Sequence, residues 1–258
     1  MASILIEKKE NIAYITLNRP EKFNAFNREM ALLLQTILDD CANDNSVRCL
    51  YITGNGKAFC AGQDLAELVG DNAPTLAQIL SEHYNPIVLK MRNLPKPIVV
   101  AINGVAAGAG ANIALQGDVV VAIENASFIQ AFSKIGLIPD SGGTFILPRL
   151  IGFQKASALM MLGDKVTAND ALQMGMLYKV FSADNFEIES KKIAQTLAQM
   201  PTKALAFTKQ ALNQSTTNSF EQQLKLEDTL QQKSANTKDY KEGVDAFLEK
   251  RQPVFSGS

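Results

Sequence analysis

The sequence contains few of the side chains that bind metal ions or build hydrolytic triads. Its 258 residues include one histidine, His83, and three cysteines, Cys41, Cys49 and Cys60. A single histidine excludes a multi-histidine metal site, and a serine–histidine–aspartate triad would have to use His83 alone. The cysteines lack the spacing of paired metal ligands, so we predict no bound metal. Their odd number, without a secretion signal, indicates reduced thiols in a cytoplasmic protein.

Strong net charge and long apolar runs are absent as well. The formal net charge is −1, which gives no electrostatic argument for binding a nucleic acid or an anionic membrane. The apolar stretch 97–122 is interrupted by amide side chains and by Asp118, so we expect no membrane span. Residues 1–14 have no apolar core like that of a signal peptide.

Apolar patterns predict an α/β protein. Strands are expected at 11–17, 47–53, 98–102, 119–123 and 178–181, and helices at 28–41, 76–94, 109–116, 153–162, 168–174, 185–199, 202–213, 219–234 and 238–250. Asn27 is the expected N-cap of the first helix. Segment 98–102 is apolar throughout, which is typical of a strand buried on both faces of a parallel sheet. We therefore predict an α/β core in residues 1–195 and a helical region in residues 196–258 that serves packing or oligomerisation.

Two segments rich in glycine and alanine are candidates for an anion-stabilising site. Residues 58–64 and 104–110 each follow a predicted strand, and the second opens a predicted helix. Two backbone N–H groups aimed at one oxygen form an oxyanion hole, and small residues leave such groups accessible. The alternative is that glycine and alanine only allow close packing, and each segment alone favours that alternative. Asp140, in glycine-rich and apolar surroundings, is a candidate base.

Five motifs together resemble the crotonase (enoyl-CoA hydratase/isomerase) superfamily. They are ITLNRPEKFNAFN (15–27), AFCAGQDL (58–65), KPIVVAINGVAAGAGANIAL (96–115), FSKIGLIPDSGGT (132–144) and EGVDAFLEKRQPVF (242–255). The resemblance covers essentially the whole chain. It implies a ββα superhelix core, an acyl-CoA thioester substrate, and a homotrimer or a hexamer made of two trimers. It implies no separate cofactor, since coenzyme A is part of the substrate.

The resemblance also implies roles for individual residues. The backbone N–H groups of Ala61 and Ala109 would form the oxyanion hole, and Asp140 would be the catalytic residue. Phe247 and Lys250 would touch the coenzyme A of a neighbouring chain. The other residues expected to bind coenzyme A or substrate are Phe23, Cys60, Gln63, Asp64, Leu65, Gly108, Asn112 and Phe132.

Two departures from the superfamily pattern narrow the expected chemistry. Where hydratases carry two glutamates that activate water, this chain has Asn112 and Phe132, and neither side chain is a general base. Asp140 alone suits a shuttle that removes a proton α to the thioester and returns it two carbons away. The motifs, with Tyr84 in EHYNP, most resemble the phenylacetate-pathway isomerases, which convert ring-1,2-epoxyphenylacetyl-CoA to oxepin-CoA. A general Δ3,Δ2-enoyl-CoA isomerase and a non-catalytic acyl-CoA-binding scaffold are the alternatives.

Other polar residues are expected to be structural. We predict that His83 is a wall or surface residue, that Cys60 packs, and that Asp118 makes a turn or packing hydrogen bond. Asp64 is expected to be structural or to contact coenzyme A. No histidine accompanies Asp140, which argues against the dehalogenase chemistry of the same superfamily.

Overall fold

Ten strands form two sheets among residues 2–69 and 73–258, which the computed structural model describes. In chain order they are β1 (Ile4–Lys9), β2 (Ile12–Leu17), β3 (Cys49–Gly54), β4 (Ala58–Cys60), β5 (Ile98–Ile102), β6 (Val105–Ala107), β7 (Val119–Ile123), β8 (Ser127–Ile129), β9 (Lys165–Thr167) and β10 (Lys179–Phe181).

The larger sheet has the strand order β1-β2-β3-β5-β7-β10. Its strands are parallel except for β1, which forms an antiparallel hairpin with β2. All five strands that the apolar patterns predict belong to this sheet. The predictions missed β1, because its apolar run is only three residues long (Ile4, Leu5 and Ile6) and five of its six residues are exposed.

The smaller sheet has the order β4-β6-β8-β9, and no part of it was predicted. Each of its strands has three residues, which is too short for a period of two to be recognised in sequence. The prediction of a single strand beyond Gly143 is therefore wrong, since β9 also lies there. Pairing of β4 with β6 brings the two glycine-alanine segments side by side.

Helices account for most of the second half of the chain. They are α1 (Arg28–Asn43), α2 (Leu76–Gln78), α3 (Asn85–Asn93), α4 (Ala109–Ala114), α5 (Gly143–Ile151), α6 (Phe153–Leu162), α7 (Ala168–Met174), α8 (Phe186–Gln199), α9 (Thr202–Ser215), α10 (Phe220–Ala235) and α11 (Lys238–Leu248). The predicted helices are confirmed with small shifts at their ends, and Asn27 caps α1 by accepting a hydrogen bond from the Met30 N–H at 3.0 Å. Two features were not predicted: α5, and a π-helical segment, Ile79–Tyr84, that joins α2 to α3.

The central strands bury both faces of the larger sheet. In β3, Leu50 packs in a cluster with α1 and α3, whereas Tyr51 packs with α8 on the opposite face. The predicted division between residues 195 and 196 stays a prediction, and it falls inside α8, which buries Ala194 and Ala198 against the sheet. Among the described residues, no helix is both long enough and apolar enough to cross a membrane.

Candidate active site

The two glycine-alanine segments meet where β4 and β6 end. A Cβ placed on Gly62 would lie 3.0 Å from the Ala107 oxygen and 3.3 Å from the Ala109 nitrogen. A Cβ on Gly110 would lie 2.5 Å from the Cys60 oxygen. These approaches require glycine, and they hold the segment that follows β4 directly against the first turn of α4.

The oxyanion role predicted for Ala61 is wrong. Its N–H already donates to the Phe23 oxygen at 3.0 Å, so it is not available to a ligand. Phe23 adopts a left-handed backbone conformation, with φ of 50°, and this turns its carbonyl toward the strand end. The contact joins segments far apart in sequence, so the sequence pattern could not reveal it.

The N–H of Gln63 is the available donor in this segment. Phe26 forms a parallel bridge with Gln63: its N–H donates to the Gly62 oxygen at 2.7 Å, and its oxygen accepts from the Asp64 N–H at 2.8 Å. In such a parallel bridge the N–H and C=O of the middle residue, here Gln63, point away from the partner segment. Within residues 2–69 and 73–258, neither the Gln63 N–H nor the Ala109 N–H has a hydrogen-bond acceptor.

Asp140 lies in the loop that precedes α5, and it is half-buried. Burial raises the pKa of its carboxyl group, and the hydrogen bond that Ser141 Oγ donates to Oδ1, at 2.9 Å, opposes part of that rise. Burial likewise raises the pKa of Tyr84 well above its usual value, and the negative charge of Asp140 adds to this rise.

Buried amides hold the Asp140 loop in place. Asn112 Nδ2 donates to the main-chain carbonyl oxygen of Asp140 at 2.9 Å, and Gln130 Nε2 donates to Asn112 Oδ1 at 2.8 Å. Gln116 Nε2 donates to the Ser141 oxygen at 3.1 Å. Ser141 has a left-handed φ of 52°, which this network stabilises. The binding role of Asn112 stays a prediction, but its fully buried side chain already serves the loop.

Phe132 lies beside the turn that begins α4. Its ring carbon Cζ is 3.8 Å from where a Cβ of Gly108 would be, and the side chain is 6% exposed. An aromatic ring therefore stands near the Ala109 N–H, at a position where hydratases of the superfamily carry a water-activating glutamate.

The polar residue Asp64 has a structural partner. Asp64 Oδ2 pairs with Arg19 Nη2 at 2.8 Å, and this bond, with the Ala66 N–H, lowers the pKa of Asp64. Phe23 and Leu65 are more than half exposed. Their predicted contacts with coenzyme A stay predictions.

Cys60 and Asp118 have the structural surroundings expected of them. Burial raises the pKa of the Cys60 thiol to about 12, so it is not a thiolate nucleophile. Asp118 accepts from the Ile98 N–H and from Lys209 Nζ, both at 2.8 Å. Both residues therefore stabilise the core of the molecule.

In the described chain, no hydrogen bond joins His83, Phe247 or Lys250 to Asp140, Gln63 or Ala109. His83 is fully buried next to Arg28, and burial lowers the pKa of its imidazole. Phe247, in α11, is 82% exposed at the edge of an open groove of about 1330 Å³ between α9, α10 and α11. The predicted contact of Phe247 and Lys250 with a neighbouring chain stays a prediction.

Sequence reasoning missed several residues that shape the site. These are Tyr84, which bonds the side chain of Gln63, and Gln116, Gln130 and Ser141, which support the Asp140 loop. A buried amide has no distinctive sequence signal, because its role depends on which backbone oxygen it faces.

Comparisons with known proteins identify the family of the chain. Residues 7–258 match the family model described as enoyl-CoA hydratase/isomerase. The chain is 44% identical to the 1,2-epoxyphenylacetyl-CoA isomerase of Escherichia coli K12, over 100% of this chain and 99% of that protein. It is 40% identical to a probable enoyl-CoA hydratase of Rhodobacter capsulatus, over 99% and 98%.

A solved structure shares the fold. The crystal structure of an enoyl-CoA hydratase from Bacillus anthracis superposes with a TM-score of 0.92 at 31% identity, covering 99% of this chain and 100% of that one. The chain thus has the crotonase-like α/β fold with a helical C-terminal region, as predicted. It belongs to the enoyl-CoA hydratase/isomerase family, and it is an enzyme of the isomerase type within that family.

Proposed function

We propose that this protein isomerises an acyl-CoA thioester by moving a proton with Asp140. The observations that carry the proposal are a half-buried carboxylate with a raised pKa, whose main-chain oxygen accepts from Asn112 in α4, and two backbone N–H groups without acceptors in the described chain, one of which belongs to the first residue of α4. The N–H groups of Gln63 and Ala109, rather than those of Ala61 and Ala109, hold the thioester oxygen.

The reaction begins when the Asp140 carboxylate removes a proton from the carbon next to the thioester carbonyl. The electron pair of the broken C–H bond moves onto the thioester oxygen, and the two N–H groups stabilise this enolate. Protonated Asp140 then returns the proton at a carbon further along the acyl group. No metal or cofactor takes part, because the acid-base step and the charge stabilisation are both supplied by these groups.

Water addition is not favoured at this site. Asn112 donates and accepts hydrogen bonds within the protein, and Phe132 has no basic group. Neither residue activates water, so a hydratase reaction lacks its second carboxylate.

The substrate that we propose is 2-(1,2-epoxy-1,2-dihydrophenyl)acetyl-CoA, which yields oxepin-CoA. Loss of the α-proton opens the way to ring expansion, and Asp140 delivers a proton to the new ring. The isomerase at 44% identity and the aromatic ring of Phe132 beside the site support this assignment. We further propose a homotrimer or a dimer of trimers, and a cytoplasmic location in keeping with free thiols at Cys41, Cys49 and Cys60.

The decisive experiment replaces the base. Asp140→Asn should lower the isomerisation rate by about 10²–10⁴-fold while binding of the CoA ester persists. Glu124→Gln removes an exposed carboxylate at the end of β7 and serves as the matched control, with turnover unchanged. Full activity of Asp140→Asn would remove this residue from the mechanism.

The pH dependence gives a second readout of the same residue. Asp140 accepts a proton only when ionised, and burial raises its pKa, so kcat/KM should fall with decreasing pH at a higher pH than an ordinary aspartate would cause. The residual activity of Asp140→Asn should lack this acid limb. An acid limb that is the same in both proteins would assign it to another group.

Two alternatives have their own tests. A larger kcat/KM on a cis-3-enoyl-CoA than on the epoxide would identify a general Δ3,Δ2-enoyl-CoA isomerase. Thermal stabilisation by CoA esters without any product detectable by mass spectrometry would identify a non-catalytic acyl-CoA-binding scaffold.

A further inference from the structure

We propose that Tyr84 and Glu67 hold the side chain of Gln63 by hydrogen bonds and thereby fix the direction of its backbone N–H. This inference rests on the proposed function in one respect, which is that the Gln63 N–H faces the thioester oxygen. We call the three side chains of Tyr84, Gln63 and Glu67 the Gln63 clamp. Tyr84 and Glu67 are positioning residues here, because they act through Gln63 rather than on the substrate.

Both ends of the Gln63 amide are occupied. Tyr84 Oη donates to Gln63 Oε1 at 2.7 Å, and Gln63 Nε2 donates to Glu67 Oε2 at 2.9 Å. The other carboxylate oxygen of Glu67 accepts from the Arg28 N–H at 2.8 Å, which ties the clamp to the first turn of α1. With donor and acceptor both engaged, the amide has a fixed orientation and the side chain is not free to follow a ligand.

Phe26 connects the clamp to the backbone of Gln63. The backbone of Phe26 brackets Gln63 through its bonds to Gly62 and Asp64. Its ring stands edge-to-face against Tyr84, with the ring centroids 6.2 Å apart. The peptide of Gln63 is therefore held through the main chain on one side and through its own side chain on the other, and a rotation of the N–H must strain one of these supports.

The anchor of the clamp is rigid. Tyr84 is 1% exposed at the end of the π-helical segment, where the chain continues directly into α3. An oxyanion hole depends on donors that are already oriented when charge develops, and small misplacements of such groups are costly in rate. A hydroxyl that served only to fill the core would have no such link to the rate.

The first test is Tyr84→Phe, which keeps the ring on Phe26 and removes the bond to Gln63. The probe is cinnamoyl-CoA, whose conjugated thioester absorbs at longer wavelength when hydrogen-bond donors polarise its carbonyl. We expect the red shift of the bound probe to fall to about half or less, and kcat to fall by about 10–10²-fold with KM nearly unchanged. Tyr51→Phe removes another buried hydroxyl, which bonds Ser190 at 2.8 Å on the opposite side of the larger sheet, and should change neither.

A double-mutant cycle separates the clamp from a direct role of Tyr84. Gln63→Met removes the amide but retains the backbone N–H, and it should reproduce the losses seen in Tyr84→Phe. The double variant should be no worse than either single variant, because both break one linkage. The proposal would be overturned if the losses of kcat in the two single variants multiplied in the double variant. It would also be overturned if Tyr84→Phe kept the red shift and the kcat of the wild-type protein.

The readouts also distinguish this inference from the proposed function. Suppose that the wild-type protein turns over no CoA ester, but that it shifts the probe's absorption and Tyr84→Phe reduces this shift. That result would support the clamp and contradict the isomerase assignment. Turnover that depends on Asp140 but not on Tyr84 would do the reverse. If wild-type protein binds the probe without any red shift, the clamp has no oxyanion hole to support and the inference is wrong.

Discussion

The two sheets differ in strand length, in burial and in what they support. Five of the six strands in the larger sheet have five or six residues, whereas every strand of the smaller sheet has three. Long apolar strands bury both faces of the larger sheet between α8 on one side and α1 and α3 on the other. The smaller sheet ends in the turns that carry Gln63 and Ala109.

This difference separates stability from function. Burial of apolar surface is the dominant favourable term in folding, so the larger sheet should carry most of the unfolding free energy. The smaller sheet contributes close backbone approaches, since a Cβ on Gly62 or Gly110 would crowd the atoms of the neighbouring segment. A change in one sheet should therefore affect a different observable from a change in the other.

The largest expected effect is on the stability of the larger sheet. Leu50→Ala, at a fully buried position of β3, should lower the free energy of unfolding by about 2–5 kcal/mol, because it leaves a cavity. The folded variant should keep its kcat within about twofold, since the site lies on the other sheet. Chemical denaturation and steady-state kinetics measure the two quantities. Leu5→Ala, at a half-exposed position of β1, is the matched control and should cost little. A large loss of kcat in folded Leu50→Ala would break the separation.

The next effect concerns the packing of the smaller sheet. In Gly110→Ala the new Cβ would lie 2.5–2.8 Å from atoms of Cys60 and would push α4 away from β4. We expect kcat to fall by about 10²-fold, because the two N–H donors would no longer converge. Gly243→Ala in α11 is the control, since its Cβ would find only ordinary contacts at 3.6 Å and beyond. Equal activity of the two variants would show that the approach of α4 to β4 is not needed.

The smallest effect is a difference in local opening. Cys60 in β4 and Cys49 in β3 are both fully buried, and burial raises the pKa of each thiol, so neither reacts with iodoacetamide until the surrounding structure opens. We expect Cys60 to be labelled about tenfold faster, because short strands open at a lower free-energy cost. Timed labelling followed by peptide mass spectrometry gives both rates, and labelling in denaturant calibrates the reagent. Identical native rates would mean that both sheets open in one global step.

The same contrast explains what could be predicted from the sequence. Segments 98–102 and 119–123 are apolar throughout, and their predicted bounds match β5 and β7. The three-residue strands are too short to show an alternation of apolar and polar residues, so the smaller sheet could not be predicted from the sequence. Its turns were still located, since glycine and alanine accumulate where backbones approach closely.

Individual roles at the site were harder to predict than its location. Ala109 was implied by the resemblance to the superfamily, and its N–H has no acceptor in the described chain. Ala61 was mistaken for its partner because the sequence does not show that the Phe23 carbonyl occupies its N–H. Asp140 stood out as a carboxylate in apolar surroundings, yet the amides that hold its loop depend on contacts that only the folded chain makes.

The number of residues in the π-helical segment determines which side chain faces Gln63. Consecutive side chains of an α-helix point about 100° apart, whereas the i→i+5 hydrogen bonds of the π-helical segment Ile79–Tyr84 add a residue to its turn and so shift the direction of every side chain that follows. Deleting one residue from it would restore α-helical spacing and turn a different side chain toward Gln63. Insertions and deletions in this helix are thus a route by which relatives that share every glycine motif can diverge in how firmly they hold the thioester oxygen.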